Sequence, residues 1–385
     1  MGPPQTQNRR LPTPLALGAL IALHFVVVGL FAFSVIPQQF HPPDQLFWFH
    51  NGGDNAAYFE LAQSLLQGEV VASKYPLGFP ITLIPFIAIT QPASQEDLIE
   101  PVAAFWSLVM FPLAQLALYR LTRLMTGHRT VALLAVLIWT LLPLGMWLGV
   151  SLVAAPPAAE TSAVHLIWAQ MLSDGPATLL TIVAFLLYAE LRRHDSRPRL
   201  WVRSATLGLT LGALILVRYT GALSAGPILL LLVIERRWAG LVVASLLMAG
   251  VASIQLVYNA AFFGSPFTSG YTVLDILPER GLFHPGYLTD AVAKLMQRSV
   301  LVTAACGAAA LAGMIGGLWA TWKLNRWSTV ILTAWIVPYA VFYALYYYSW
   351  TGSLLRFLMP IYPALAIAAA ALLFELRDFA RSRSR

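Results

Sequence analysis

The chain has 385 residues, of which 58% are apolar or aromatic and only 11% are charged, against about 45–50% and about 25% in a soluble domain. Those proportions exclude a string of soluble domains, a disordered chain and a coiled coil, and one cysteine, Cys306, excludes an internal disulfide. The predicted fold class is all-α, a polytopic helical membrane protein, whose +7 charge suits an anionic inner leaflet and forms no basic stripe that would suit nucleic acid.

A span needs about 20 mostly apolar residues. In chain order such stretches are Leu15–Ile36, Pro101–Leu121, Val131–Val150, Gly175–Leu191, Ser204–Gly221, Ala222–Ile234, Ala239–Tyr258, Ser299–Trp322, Ser328–Tyr348 and Leu355–Leu376. The sixth is short and borrows from the fifth. An eleventh stretch, Leu77–Thr90, is shorter still and carries Pro80 and Pro85. It is read as re-entrant or interfacial. The first span follows Arg9 and Arg10 and reads as an uncleaved signal anchor.

With Leu77–Thr90 not crossing, all but six of the 24 basic residues fall on one side; the exceptions are Lys74, Arg218, Arg280, Lys294, Arg298 and Arg356. All but Glu190, Asp195, Glu235, Glu375 and Asp378 of the 17 acids fall on the other. The positive-inside rule then predicts ten spans with N- and C-termini in the cytoplasm; the membrane expected is a bacterial inner (plasma) membrane.

Three long outer segments result. The first, Pro37–Pro76, breaks at Gly52-Gly53, after which Asp54 opens a helix over Ala56–Gln67. Tyr58, Leu61, Leu65 and Leu66 are spaced for one apolar face, as in a helix lying on the membrane surface. Asp54 is either the cap of that helix or a carboxylate poised as a general base. The second, Ser151–Asp174, ends with Asp174 opening a span behind Ser173 and ahead of Pro176, and the same two readings apply. Glu160 and His165 precede it. Asp54 and Asp174 together are candidate ligands for a divalent cation such as Mg or Mn, although no tight ligand spacing requires one. The third, Asn259–Arg298, begins with a turn at Gly264-Ser265-Pro266 and an aromatic group, Phe262, Phe263, Phe267 and Tyr271. Those rings form either an interfacial belt or a substrate groove, and Tyr343–Trp350 has the same two readings.

Arg218 and Arg356 each sit at the outer end of an apolar span. An ionisable group at that depth is expensive unless paired or hydrated. Snorkelling accounts for such a residue, and so does a guanidinium that holds a phosphate with Lys74 as a supporting point charge.

GGDNAAYFELAQSLLQG with KYPLGFP, then LSDGPATLLTIVAFLLYAELRR, LVRYTG, YNAAFFGSPFTSGY and LRFLMPIYP occur in that order. Together with the topology they resemble the GT-C superfamily of membrane glycosyltransferases, which includes protein O-mannosyltransferases and aminoarabinose transferases. The resemblance implies one GT-C-like transmembrane domain over residues 1–385. It also implies a polyprenyl-phosphate-linked sugar donor, inversion at the anomeric carbon, and acidic site residues at Asp54 and Asp174. Basic residues near the lipid phosphate are implied too, with Arg218 and Arg356 as candidates. On the residues themselves, Lys74 is a further phosphate-binding candidate, and Tyr58, Tyr75, Tyr219 and Tyr271 are candidates to line a substrate groove. Two departures stand out: Asp54 is followed by Asn55 where many members carry two adjacent acids, and the chain ends at Arg385 without the soluble domain of larger members. The acceptor, whether protein, glycan or lipid, is then left to the outer loops or to a protein partner. Two other readings stay open: a catalytically silent subunit of a complex, and a transporter of lipids or amphiphiles.

Overall fold

A computed structural model describes residues 12–32, 54–153, 171–193, 197–274, 278–290, 300–347 and 356–383. Helices fall on each expected span: Thr13–Ala32, Gln95–Thr126, Arg129–Val153, Asp174–Arg193, Arg197–Val217, Ala222–Ile234, Trp238–Phe263, Val300–Leu324, Arg326–Leu345 and Tyr362–Arg383. Among the described residues there is no strand, only an isolated bridge between Phe283 and Tyr346. The all-α class and the integral membrane character therefore stand. By length and composition, seven helices among the described residues, fewer than the expected ten, are sufficient to cross a membrane; Arg129–Gly145 and Tyr219–Ile234 are apolar but shorter.

Local chemistry accounts for several boundaries. Gly264 closes the Trp238–Phe263 helix with φ 75°, a left-handed cap that suits glycine. The fifth expected span ran through Gly221, but its helix stops at Val217. Arg218 is extended there (φ −155°, ψ 124°), and a short 3-10 turn, Tyr219–Gly221, leads into Ala222–Ile234. Trp106–Met110 forms a π turn between Gln95–Phe105 and Phe111–Thr126. Its Ser107 carbonyl is within 2.9 Å of the buried His24 Nε2 from the first helix.

In a bilayer, apolar burial does not drive helices together, so close backbone approach and dispersion must. Gly208 and Gly212 let Arg197–Val217 approach Ala244 and Val251 of Trp238–Phe263, and Gly317 meets Ala368 in the same way. Phe185 stacks on Trp335 at 4.4 Å, and the Trp335 Nε1–H donates to the Pro360 carbonyl at 2.9 Å. That bond ties the Arg326–Leu345 helix to the segment just after Arg356.

Charges collect at the two ends of the bundle. At one end Glu190 pairs with Arg120 and Arg203, and Glu235 pairs with Arg192 at 2.5 Å. Arg237 there donates to the Leu191 and Arg192 carbonyls, both at 2.7 Å, closing the Asp174–Arg193 helix. The opposite end holds Asp54, Asp174, Arg218 and Arg356.

Gly78–Thr90 is a 13-residue helix with Pro85 inside, too short to cross. Its residues Phe79, Leu83 and Ile87 share a buried cluster with Tyr58, Phe59, Leu98, Ile99 and Val102. This helix therefore packs against the Asp54–Leu66 helix. That second helix buries Asn55, Tyr58, Phe59, Leu61 and Ala62, while Leu66 is exposed. The apolar face is therefore rotated from the expected one: Phe59 and Ala62 belong to it and Leu66 does not.

Candidate active site

Four segments remote in sequence supply the charged centre. Asp54 is the first residue of the Asp54–Leu66 helix, and Asp174 opens Asp174–Arg193, where a helix N-terminus favours a carboxylate. Arg218 occupies the break after Val217, and Arg356 precedes the Met359–Ile361 turn and the last helix. Arg356 bridges the two carboxylates: its Nη2 donates to Asp54 Oδ2 at 2.5 Å and its Nε to Asp174 Oδ2 at 2.8 Å. Arg218 Nη1 donates to the other Asp174 oxygen, Oδ1. The Tyr75 hydroxyl donates to the other Asp54 oxygen, Oδ1.

All four carboxylate oxygens thus face side-chain donors outside their own helices. Both aspartate side chains engage groups from other parts of the chain, and both arginines engage carboxylates. Asp174 is fully buried, whereas Asp54 keeps 28% of its side chain exposed. Asp54 is therefore the more exposed of the two acids.

Electrostatics follow from this packing. Burial would push the Asp54 carboxyl up, but Arg356, the Tyr75 hydroxyl and Lys74 together hold it below the ordinary aspartate value. Burial pushes the Tyr75 hydroxyl far up, and the Asp54 carboxylate beside it adds to the effect, so Tyr75 stays protonated and donates. Tyr58 is also pushed up, by burial first and by Asp54 second. Its hydroxyl lies 3.1 Å from Ser173 Oγ, next to Asp174.

The tyrosines expected to line a groove form a connected layer. Tyr58 and Tyr75 lie 4.6 Å apart, Tyr75 meets Tyr271 edge-on at 5.7 Å, and Tyr271 meets Tyr219 at 6.2 Å. Tyr58 and Tyr75 are buried, the first against Ser173 and the second donating to Asp54, while Tyr219 and Tyr271 are half-buried. Lys74 Nζ sits 5.2 Å from the Tyr75 ring centroid. Phe357 lies beneath both arginines, 5.2 Å from Arg218 and 5.8 Å from Arg356.

Two residues that sequence reasoning missed hold this layer in place. Gln255 accepts from the Leu77 N–H and donates to the Tyr219 hydroxyl and to Asn259 Oδ1, each at 2.9 Å. Two amides one helical turn apart in an otherwise apolar span were the available signal. Tyr258 accepts from the Ser73 N–H at 2.6 Å and donates to the Val71 carbonyl at 2.8 Å, fixing the strand of chain that carries Lys74 and Tyr75. Glu160, His165 and Gly52-Gly53 lie outside the described residues, as do 348–350 of the expected aromatic stretch.

A divalent ion does not fit between Asp54 and Asp174 as they stand, because Arg356 already lies between their facing oxygens and Tyr75 and Arg218 engage the other two. Among the described residues no three or more His, Cys, Asp or Glu side chains come together.

No family model and no curated protein matches the chain. Solved structures do. ArnT from Cupriavidus metallidurans bound to undecaprenyl phosphate superposes with a TM-score of 0.59 at 14% identity, over 96% of this chain and 61% of that one. The archaeal oligosaccharyltransferase AglB from Archaeoglobus fulgidus, in complex with an inhibitory peptide and a dolichol-phosphate, gives 0.57 at 14% identity, over 95% and 50%. The Archaeoglobus fulgidus oligosaccharyltransferase in complex with Zn and sulfate gives 0.57 at 13%, over 96% and 50%. The chain spans about three fifths of the first protein and half of the other two. At this identity the likeness is one of fold: the chain shares the overall fold of these solved structures.

Proposed function

We propose that this GT-C-fold chain transfers a sugar from a polyprenyl-phosphate carrier to an acceptor hydroxyl at the outer membrane face. The observation that carries the reading is the convergence of Asp54, Asp174, Arg218 and Arg356 on one centre at one end of an apolar bundle. The likeness to structures that hold undecaprenyl phosphate or dolichol-phosphate supports the choice of donor. In this reading the charged end faces the outside of a bacterial inner membrane, with both termini on the cytoplasmic side.

The chemistry follows from the residue types. A polyprenyl donor keeps its tail in the leaflet and presents a phosphosugar at the surface. Arg356 commits two of its five N–H groups to carboxylates, so three remain to take oxygens of the leaving phosphate. Arg218 and Lys74 add positive charge where negative charge grows as the bond between the anomeric carbon and the phosphate oxygen breaks. The acceptor attacks the anomeric carbon from the opposite face, and its proton passes to Asp54. A carboxylate of lowered basicity suffices, because an attacking hydroxyl becomes strongly acidic as its bond to carbon forms. Asp174 touches neither reactant in this scheme; it positions both guanidinia. The half-buried rings of Tyr219 and Tyr271 flank the sugar.

The test uses the full chain in liposomes with a panel of polyprenyl-phosphate sugars. Asp54→Asn removes transfer by about 10²-fold or more while membrane yield and binding of undecaprenyl phosphate persist. Full transfer by that variant excludes Asp54 as the base. Accumulation of intact lipid or sugar inside vesicles, without transfer, would favour transport instead.

A further inference from the structure

We propose that the Arg356 guanidinium acts as a built-in cation between the two carboxylates, so that the centre works without a divalent metal. The inference deepens the glycosyl-transfer reading and rests on it for the identity of the anion that Arg356 finally meets.

Three observations carry it. The first is position. Asp54 Oδ2 and Asp174 Oδ2 come from separate helices and both face one guanidinium, at 2.5 and 2.8 Å. That is the point where an ion shared by the two acids would sit. The second is ligand supply. Mg and ions of its kind demand near-octahedral oxygen coordination. Here the remaining oxygens, Asp54 Oδ1 and Asp174 Oδ1, accept from Tyr75 and Arg218. The third is charge. Two carboxylates face two guanidinia, which leaves the centre with no net charge. Lys74 acts on Asp54 from outside that set and tips the region positive. A neutral-to-positive centre repels a divalent cation and attracts a phosphate monoanion or dianion.

A guanidinium suits the role for physical reasons. It is planar, stays charged at every accessible pH, and its donors form a rigid fork that matches carboxylate and phosphate oxygens. Nε and Nη2 engage the two carboxylates, and the guanidinium carbon lies 5.8 Å from the Phe357 ring centroid. Arg356 is therefore both a positioning residue for Asp54 and a binding residue for the donor phosphate.

Mn²⁺ binding to the purified full chain, followed by electron paramagnetic resonance with neither donor nor acceptor present, tests the proposal. The wild-type chain is expected to leave the free-ion signal unchanged. Arg356→Ala, which leaves Asp54 without its guanidinium and Asp174 with Arg218 alone, is expected to bind one Mn²⁺ per chain, and Arg356→Ala combined with Asp54→Asn to lose it. Saturable binding of one Mn²⁺ by the wild-type chain, abolished by Asp54→Asn, overturns the proposal, as does a folded Arg356→Ala that binds none. If Arg356→Ala does not fold, the wild-type titration decides alone. The titration requires no sugar transfer, so its outcome is separable from failure of the glycosyltransferase reading, which the Asp54→Asn transfer assay judges.

Discussion

Asp174 is fully buried and accepts from two guanidinia that are themselves only 13% and 19% exposed. Asp174→Asn keeps the shape and removes the charge, which leaves Arg218 without its carboxylate and Arg356 with Asp54 alone. Breaking a buried ion pair by removing one partner destabilises by about 3–5 kcal/mol. Residual water at the arginines places this change near the lower end, about 3 kcal/mol. Arg218→Gln is milder, about 2 kcal/mol, because Asp174 keeps Arg356 at 2.8 Å. The double variant replaces the pair by two neutral amides, with neither charge stranded. It is expected to lose about 3 kcal/mol rather than the sum, a coupling of about 2 kcal/mol. Unfolding in mixed micelles by increasing SDS, followed by tryptophan fluorescence, reads all four corners of this cycle. Additive losses, within about 0.5 kcal/mol, would refute the idea that Asp174 and Arg218 form one energetic unit, and with it the claim that Asp174 is there to hold guanidinia.

Three further outcomes follow from the geometry. Asp54 is held below its ordinary value, so its ionised form contributes stability above the unfolded aspartate pKa of about 3.9, and that contribution disappears as pH falls through the folded value. The acid limb of the transfer rate therefore lies below about pH 3.9, and Arg356→Ala moves it upward because burial is then less opposed; a wild-type limb above that value contradicts the assignment. Tyr75→Phe removes the hydroxyl that donates to Asp54, a bond to a charged group worth about 1.5–3 kcal/mol, and shifts the limb the same way with a roughly tenfold or greater loss of rate at neutral pH, read from the same pH profiles. Gly78→Ala places a Cβ 2.5 Å from the Leu216 carbonyl carbon and the Val217 nitrogen. That backbone leads directly into Arg218, so overpacking of about 1–3 kcal/mol lowers thermal stability and undecaprenyl phosphate affinity together, whereas Gly18→Ala, with nothing within 4 Å, leaves both unchanged.

The charged centre was legible in the sequence because the chain has so few charges. An arginine at the end of a span asks for a reason, and Arg218 and Arg356 were found by that question alone. Asp54 and Asp174 stood out beside turn signals, Gly52-Gly53 and Ser173. How the four pair was not legible. Nothing in LRFLMPIYP says that Arg356 reaches two aspartates 182 and 302 positions away in the chain, because a membrane centre is assembled by helix packing that local periodicity does not encode. The same limit hid the break at Arg218: LILVRYTG reads as continuous apolar helix, and the turn there is set by close approach of Gly221 to Leu214. It also hid the burial of Tyr58 and Tyr75, whose hydroxyls are satisfied by Ser173 and Asp54. The apolar face of the Asp54–Leu66 helix was placed a little off because it packs on the Gly78–Thr90 helix and not only on a membrane surface.

The central claim is that this centre receives a lipid-linked phosphate, and a structure of the full chain with undecaprenyl phosphate bound tests it most directly. Phosphate oxygens are expected at hydrogen-bonding distance, about 2.7–3.2 Å, from the Arg356 and Arg218 guanidinia, with the Asp54 carboxylate facing the side from which an acceptor would approach. A phosphate bound elsewhere, with Arg356 still bridging Asp54 and Asp174 and making no contact to it, would contradict the account.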